Sequence, residues 1–313
     1  MFIKLFHLYK IGRKLAISGS IDTINEIYNL PFIIKLLFKV LSFGSTKKEN
    51  IFKKPGERLC NALEGMGTTF IKLGQFLATR PDIIGEDLAE DLSKLQDKLP
   101  AFQTSEAKKI IKKELGEKYY QNIISLSDPI AAASIAQVHI AKIKIEEREE
   151  EVAIKILRPN IEKIFNEELE ALLILAYILE NLQPKLKRLK LIEVVLLLKE
   201  ITNIEMDLRF EAAAANELYE NTKNDSGFNV PKIYWNFTSK KILTLEKVNG
   251  VSIREFSLLK EKGLDLKKLA ENLIKFFLKQ AVRDGFFHGD MHQGNLFVDT
   301  KGNIIPVDFG IMG

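Results

Sequence analysis

The sequence predicts an α+β chain, helical at its N-terminal end and mixed strand and helix beyond, on three observations. Apolar residues recur at helical spacing up to about residue 127. Two-residue alternation then appears in Ala136–Lys144 (AQVHIAKIK) and Glu151–Leu157 (EVAIKIL), and helical periodicity returns from Ile161 to about Glu220. The 313 residues suffice for one large or two medium domains with a substantial core. At 46% hydrophobic and 28% charged residues the composition is that of a folded protein, which excludes disordered and collagen-like chains. A single cysteine, Cys60, excludes an internal disulfide and a cysteine zinc cluster, and four scattered histidines argue against a histidine-rich metal site. The formal charge of +4 is spread along the chain and gives no reason to expect a nucleic-acid partner.

Taken in order, the first 43 residues hold six Lys or Arg against two acids, interleaved with Phe, Leu and Ile. That mixture fits an amphipathic helix on an anionic membrane face and equally a helix packed on the back of the domain. The longest apolar stretches are Pro31–Phe43, interrupted by Lys35 and Lys39, and Leu169–Leu182, which contains Glu170 and Glu180. Neither reaches the roughly 20 uninterrupted apolar residues of a spanning helix, and the second reads as a buried helix. No secretory signal is evident, so the expected location is the cytoplasm, at a membrane surface.

Polar Gly44–Gly56 separates this start from helices over 57–127, broken at Pro81-Asp82, with Thr104-Ser105-Glu106 as a capping-type start. The charged run EEREE at 146–150 fits a turn between two strands. Strands are expected at 232–237 and 241–248, a helix over 265–284, and short strands in LFVD and IIPVD at the end. No repeat or low-complexity tract occurs. The segments read as 1–50 basic and amphipathic, 51–128 a helical extension, 129–248 strand-rich with a helical insertion, and 249–313 a last, partial unit.

The strongest chemical signal lies in the last 26 residues: His288-Gly289-Asp290, then Asn295, then Asp308-Phe309-Gly310. Taken singly these are ordinary turn residues; in this order and spacing they are not. Phosphoryl transfer needs a carboxylate to orient the attacking hydroxyl and oxygen ligands to hold Mg²⁺ across the phosphates. Asp290 fits the first role, and Asn295 and Asp308 the second. The pattern is that of a kinase catalytic loop and D-F-G, with Gly289 in place of the usual Arg.

The matching nucleotide half lies upstream. Val152-Ala153-Ile154-Lys155 is the V-A-I-K strand, whose lysine reaches the phosphates. Ahead of it, Ala131, Ala132, Ala133, Ser134, Ile135, Ala136 and Val138 fall on the phosphate-covering loop, with alanines where that loop carries glycines. Alanine resists positive φ, so this loop is expected not to fold over phosphates in the usual way. In the segment Glu205–Glu211, read as one helix, Asp207 and Glu211 share a face and Glu205 can pair with Arg209. Lys155 or Mg²⁺ would relieve the two like charges; for Asp207 alone a solvated helix face is the simpler reading. Glu246 to Val248 would offer backbone groups to an adenine ring.

The sequence resembles the UbiB family of atypical (aarF-domain) kinases from about residue 55 onward. AAASIAQVH resembles that family's alanine loop, Lys72-Leu73-Gly74-Gln75 its K-x-G-Q signature, and Glu205-Met206-Asp207 its E-x-D signature. The resemblance implies a protein-kinase-like two-lobed fold: a small β-rich N-lobe, a partial C-lobe and a helical N-terminal extension. It implies ATP and Mg²⁺ as cofactors, Lys155 paired with Glu211 at the nucleotide, Asp290 as acid/base, and Asn295 and Asp308 as metal ligands. It places Lys72, Gln75, Glu205 and Asp207 at the active-site opening, where a K-x-G-Q helix blocks protein substrates. It further implies support of ubiquinone biosynthesis at the cytoplasmic face of the inner membrane, with a quinone-precursor lipid or the proteins of that pathway as partners. Two departures stand out. The family's HGDPHPGN is here HGDMHQGN, with Met291 and Gln293 for prolines, which is expected to loosen the loop. The family's chains also continue past D-F-G, whereas this sequence ends three residues on, as a truncated chain would.

Two other functions compete. A small-molecule phosphotransferase of the aminoglycoside or choline kinase type shares HGD-x-x-x-x-N, but the alanine loop, K-x-G-Q and E-x-D argue against it. A nucleotide-gated lipid-binding or scaffold protein would bind ATP without making product. A flavin hydroxylase is disfavoured because no G-x-G-x-x-G follows a strand.

Overall fold

The computed structural model describes residues 2–20, 25, 32–43, 54–95, 99–182 and 184–313. Most of the polar segment Gly44–Gly56 lies outside them. In chain order the helices of the first part are α1 (Phe2–Ser18), α2 (Phe32–Leu41), α3 (Pro55–Met66), α4 (Thr68–Ala78), α5 (Pro81–Ile84) and α6 (Glu86–Leu92). There follow α7 (Thr104–Tyr120), β1 (Ile123–Ala132), β2 (Ala136–Ile145), β3 (Arg148–Leu157), α8 (Ile161–Leu182), α9 (Leu191–Glu205) and α10 (Leu208–Thr222). The chain closes with β4 (Ile242–Glu246), β5 (Val251–Ser252), α11 (Phe256–Glu261), α12 (Leu266–Leu278), β6 (Leu296–Val298) and β7 (Ile304–Pro306). It divides into two compact units: residues 1–99, 133–135 and 160–203, and residues 100–132, 136–159 and 204–313.

The first unit is helical. α1 packs on α2, α3 and α8, burying Ile11 and Ala16. α8 buries Ile161, Phe165, Leu169, Leu172 and Ala176, the i, i+4 stripe of an amphipathic helix. Its other face is not the buried one expected, because Tyr177 and Leu182 are exposed there. Among the described residues no helix is long and apolar enough to cross a membrane.

The second unit holds an antiparallel sheet of order β1-β2-β3-β4 and a small sheet β5-β6-β7. Alternation sorts the sheet's faces: Val152, Ile154 and Ile156 of β3 pack with Ala141, Ile143, Ile242 and Ile111 of α7 in one core. Fully burying each such side chain is worth about 1.5–3 kcal/mol. The opposite parity places Ala153 and Lys155 on the other face.

Four expectations about elements change. The sheet begins at Ile123 rather than Ala136, since β1 is an edge strand whose bulges around Pro129 hide its alternation. EEREE makes the hairpin turn as expected, at Glu146-Glu147, but the turn is shorter than the run: Arg148–Glu150 already belong to β3, and Glu149 and the following Glu151 stand opposite Lys144 and Lys142, which offsets the charge. Residues 232–237 turn instead of extending, with a 3₁₀ turn at Trp235–Phe237 held by Thr244 Oγ1 donating to the Phe237 carbonyl at 2.7 Å. Thr104 does not cap its helix; its hydroxyl donates to Asp128 Oδ1 at 2.8 Å and Gln103 takes the cap position.

Candidate active site

Register builds the site's floor. Val138 on β2 and Leu243 on β4 lie beside Lys155 on β3, so a strand lysine rises between two apolar neighbours. Its ammonium donates to Glu211 Oε1 at 2.7 Å and Oε2 at 2.9 Å, and reaches Asp308 Oδ2 at 3.4 Å. Burial disfavours the charge, but the carboxylates of Asp308 and Glu211 outweigh it and hold the lysine's pKa above its ordinary value. Glu211 sits in the first turn of α10, where the helix dipole favours an acid.

The two carboxylates nearest Lys155 differ in access. Glu211 is buried, whereas the Asp308 side chain is 45% exposed. Asp308 Oδ1 accepts the Gly310 N–H at 3.1 Å, which curls the chain around the carboxylate. Phe309 is buried, its ring 6.0 Å from that of His288. Antiparallel bonds from Gly289 N–H to the Ile311 carbonyl and from Phe287 N–H to the Gly313 carbonyl staple this segment to the loop before Asp290.

In that loop Asn295 Nδ2 donates to Asp290 Oδ2 at 3.1 Å. The bond fixes the Asn295 amide with its carbonyl oxygen free of that contact. Asn295 Oδ1 and the exposed Asp308 carboxylate are hard oxygen donors of the kind Mg²⁺ takes when phosphates and water complete its shell, so the residues fit that ion. No group of three or more His, Cys, Asp or Glu able to hold a metal occurs among the described residues. The loop that lacks both prolines is braced otherwise: His292 Nδ1 accepts the Gly294 N–H at 3.2 Å and lies 3.1 Å from Arg254 Nη2.

The remaining predicted residues fall as follows. Segment 205–211 is two helices, not one. Glu205 ends α9, and Asp207 is the N-cap of α10, accepting the Arg209 N–H at 3.1 Å. Arg209 therefore pairs with Asp207, at 2.6 Å, and this bond holds the Asp207 carboxyl below its usual pKa. Of the backbone groups expected to face an adenine ring at Glu246 to Val248, two are already used, because Glu246 N–H donates to the Lys232 carbonyl and Lys247 N–H to that of Glu151.

Ala131 and Ala132 pair with Val138 and Gln137 at the end of the β1–β2 ladder, leaving a three-residue turn, Ala133–Ile135. No residue from Ala131 to Ala136 has positive φ, so the turn asks nothing of its backbone that alanine cannot give. Ser134 and Ile135 are buried, and Thr68 Oγ1 donates to the Ser134 carbonyl at 3.2 Å. Lys72 and Gln75, both half-buried, lie on α4 in the helical unit. Gly74 between them faces Leu63 and Leu95, which occupy the space a β-carbon would need.

Sequence reasoning missed a polar group under the sheet. Gln137 and His139 are fully buried on the core side of β2. The Gln137 amide takes both backbone groups of Phe102, at 2.8 and 3.1 Å, and its Nε2 lies 2.8 Å from His139 Nε2. His139 Nδ1 lies 2.8 Å from the Ser127 carbonyl. Only a neutral ring satisfies every contact, donating from Nδ1 and accepting at Nε2. The signal was polar residues at the core parity of an alternating strand.

A family model, the ABC1 atypical kinase-like domain, matches residues 94–313. The chain belongs to that family. It is 37% identical over 302 residues to a protein of Marinobacter nauticus named "Probable protein kinase UbiB", covering 94% of this chain and 54% of that one. A protein of the same name from Pseudomonas paraeruginosa is 37% identical over 311 residues, covering 98% and 58%. The chain thus spans little more than half the length of these curated relatives. Among solved structures, the complex of Rv3197 with erythromycin from Mycobacterium tuberculosis matches with a TM-score of 0.53 and 29% identity. That match covers 77% of this chain and 59% of the other. The fold is the kinase-like α+β fold with a helical N-terminal region, and the chain is of the UbiB type within its family.

Proposed function

We propose that this chain binds Mg²⁺-ATP and uses it for phosphotransfer or hydrolysis in support of ubiquinone biosynthesis. The observation that carries the reading is Lys155, held charged by buried Glu211 and exposed Asp308 and flanked in register by Val138 and Leu243. In it Lys155 binds the phosphates, the apolar neighbours floor the base, and Asp290 orients and deprotonates the attacking oxygen. Asn295 and Asp308 would hold Mg²⁺, which when bound neutralises charge on the phosphates. The acceptor class, a quinone-precursor lipid, rests on the family resemblance.

A membrane contact belongs to the same reading. On α2, Phe32, Leu36 and Val40 form an exposed stripe continued by Phe43, while Phe38 and Leu41 face α1. Lys35 and Lys39 flank the stripe, so it suits an anionic bilayer at the cytoplasmic face. Removing residues 1–43 would also strip α1 from its packing, so Leu36→Glu with Val40→Glu is the cleaner variant; weaker binding to anionic vesicles is expected, and full retention would place the contact elsewhere.

The enzymatic reading is tested by ADP release from Mg²⁺-ATP with and without a quinone-precursor phenol in vesicles. Asp290→Asn should slow it about 100-fold, in the range of general acid–base catalysis. Equal rates in both proteins would remove Asp290 from the chemistry, and no ADP release from either would leave nucleotide binding without turnover.

A further inference from the structure

Gln280 is wholly buried, the second residue of a single π-helical turn, Lys279–Asp284, that ends α12. Such a turn is a costly widening of the helix, kept mostly where it aims a group. Here three N–H groups converge on one residue. The Gln280 carbonyl accepts from Gly285 and, at 3.2 Å, from Phe286, while its side-chain Oε1 accepts from the His288 N–H at 2.8 Å. Gly285, at φ 64°, reverses the chain between them. The other end of the amide, Nε2, has no hydrogen-bond partner among the described residues. A buried amide with an orphaned donor costs stability that methionine or leucine would not. What justifies a glutamine at this place is therefore its acceptor oxygen.

That oxygen holds the first residue of His288-Gly289-Asp290. His288 is buried, and its Nδ1 accepts the Asp290 N–H at 3.2 Å, so the ring passes the constraint on to Asp290. We propose that Gln280 is a positioning residue: from the π turn it fixes the His288 backbone, and through His288 the orientation of Asp290. The inference rests on Asp290 being the group that orients the attacking oxygen.

Gln280→Met keeps the volume and removes the acceptor; Gln280→Glu keeps an oxygen there. In the full chain, amide hydrogen exchange is followed for peptides covering 286–292, with β3 as internal reference. Gln280→Met should speed exchange at 286–292 about tenfold or more while leaving β3 within about twofold. It should lower kcat for Mg²⁺-ATP turnover at least about tenfold with KM for ATP nearly unchanged, as expected of a small misplacement. Gln280→Glu should restore most of both. Unchanged exchange at 286–292 in Gln280→Met, or exchange raised equally in β3 with no rescue by Gln280→Glu, overturns the proposal. A parent chain that fails to turn over Mg²⁺-ATP would withdraw the role of Asp290, while the exchange data alone decide whether Gln280 holds the loop.

Discussion

Two acid–base pairs lie one helical turn apart at the start of α10, and they do different work. Asp207 and Arg209 pair at 2.6 Å, but the arginine side chain is 61% exposed and the bond closes a helix end. Glu211 and Lys155 pair at 2.7 Å with side chains 7% and 16% exposed, and the bond joins α10 to the sheet. The same chemistry is thus a local cap in one place and a fold-spanning tie in the other. The sequence signature Glu205-Met206-Asp207 lies against the first, whereas the residues of the proposed nucleotide site gather on the second. Burial, not motif membership, separates them.

The largest effect should come from breaking the buried pair. Glu211→Ala leaves Lys155 buried with Asp308 alone and should cost of order 3 kcal/mol in urea unfolding, with loss of nucleotide binding. A cost near that of a surface pair would erase the distinction. Asp308→Asn should leave stability almost unchanged yet abolish Mg²⁺-dependent nucleotide affinity, since its carboxylate is the exposed partner; unchanged affinity would remove it as a metal ligand.

Acidity is the next lever. Burial holds the pKa of both His139 and His288 below the ordinary value. Their contribution to stability is complete above the unfolded pKa of about 6.5 and declines as pH falls toward the depressed folded values, because the unfolded chain takes up protons first. Unfolding midpoints should therefore drop below about pH 6.5, and a flat profile from pH 7 to 5 would contradict the buried neutral rings. Asp207→Ala, which removes only a cap, should cost about 1 kcal/mol. An additional fall in turnover beyond that loss would show that Asp207 also serves the site. The smallest effect is expected from Ala133→Gly, a few-fold change in nucleotide affinity, because the turn already adopts backbone angles open to alanine.

How much of this was legible in the sequence depends on the range of the interaction. That Lys155 meets Glu211 and Asp308, and Asn295 meets Asp290, was readable because the motifs fix residue type and spacing; their phosphoryl roles belong to the proposed function, and β3's face followed from its period of two. The break at Met206-Asp207 was not, since the spacing of Asp207 and Glu211 fits one helix face as well as it fits a cap and the turn after it. β1 escaped because an edge strand with bulges needs no clean alternation. Gln137, His139 and Gln280 escaped because each is polar for the sake of a backbone group distant in sequence: Phe102 for the first, Ser127 for the second, and the reversed chain at His288 for the third.

The most direct test of the central claim, that the Lys155 face with Asp308 forms a Mg²⁺-nucleotide site, is thermal unfolding of the full chain with Mg²⁺-ATP, Mg²⁺-ADP, and ATP in excess chelator. At about 100-fold over Kd a native site gains roughly 2.7 kcal/mol. The midpoint should rise with Mg²⁺-nucleotide, and the rise should vanish with chelator and in Asp308→Asn. A cooperative transition that ignores nucleotide under every condition would contradict it.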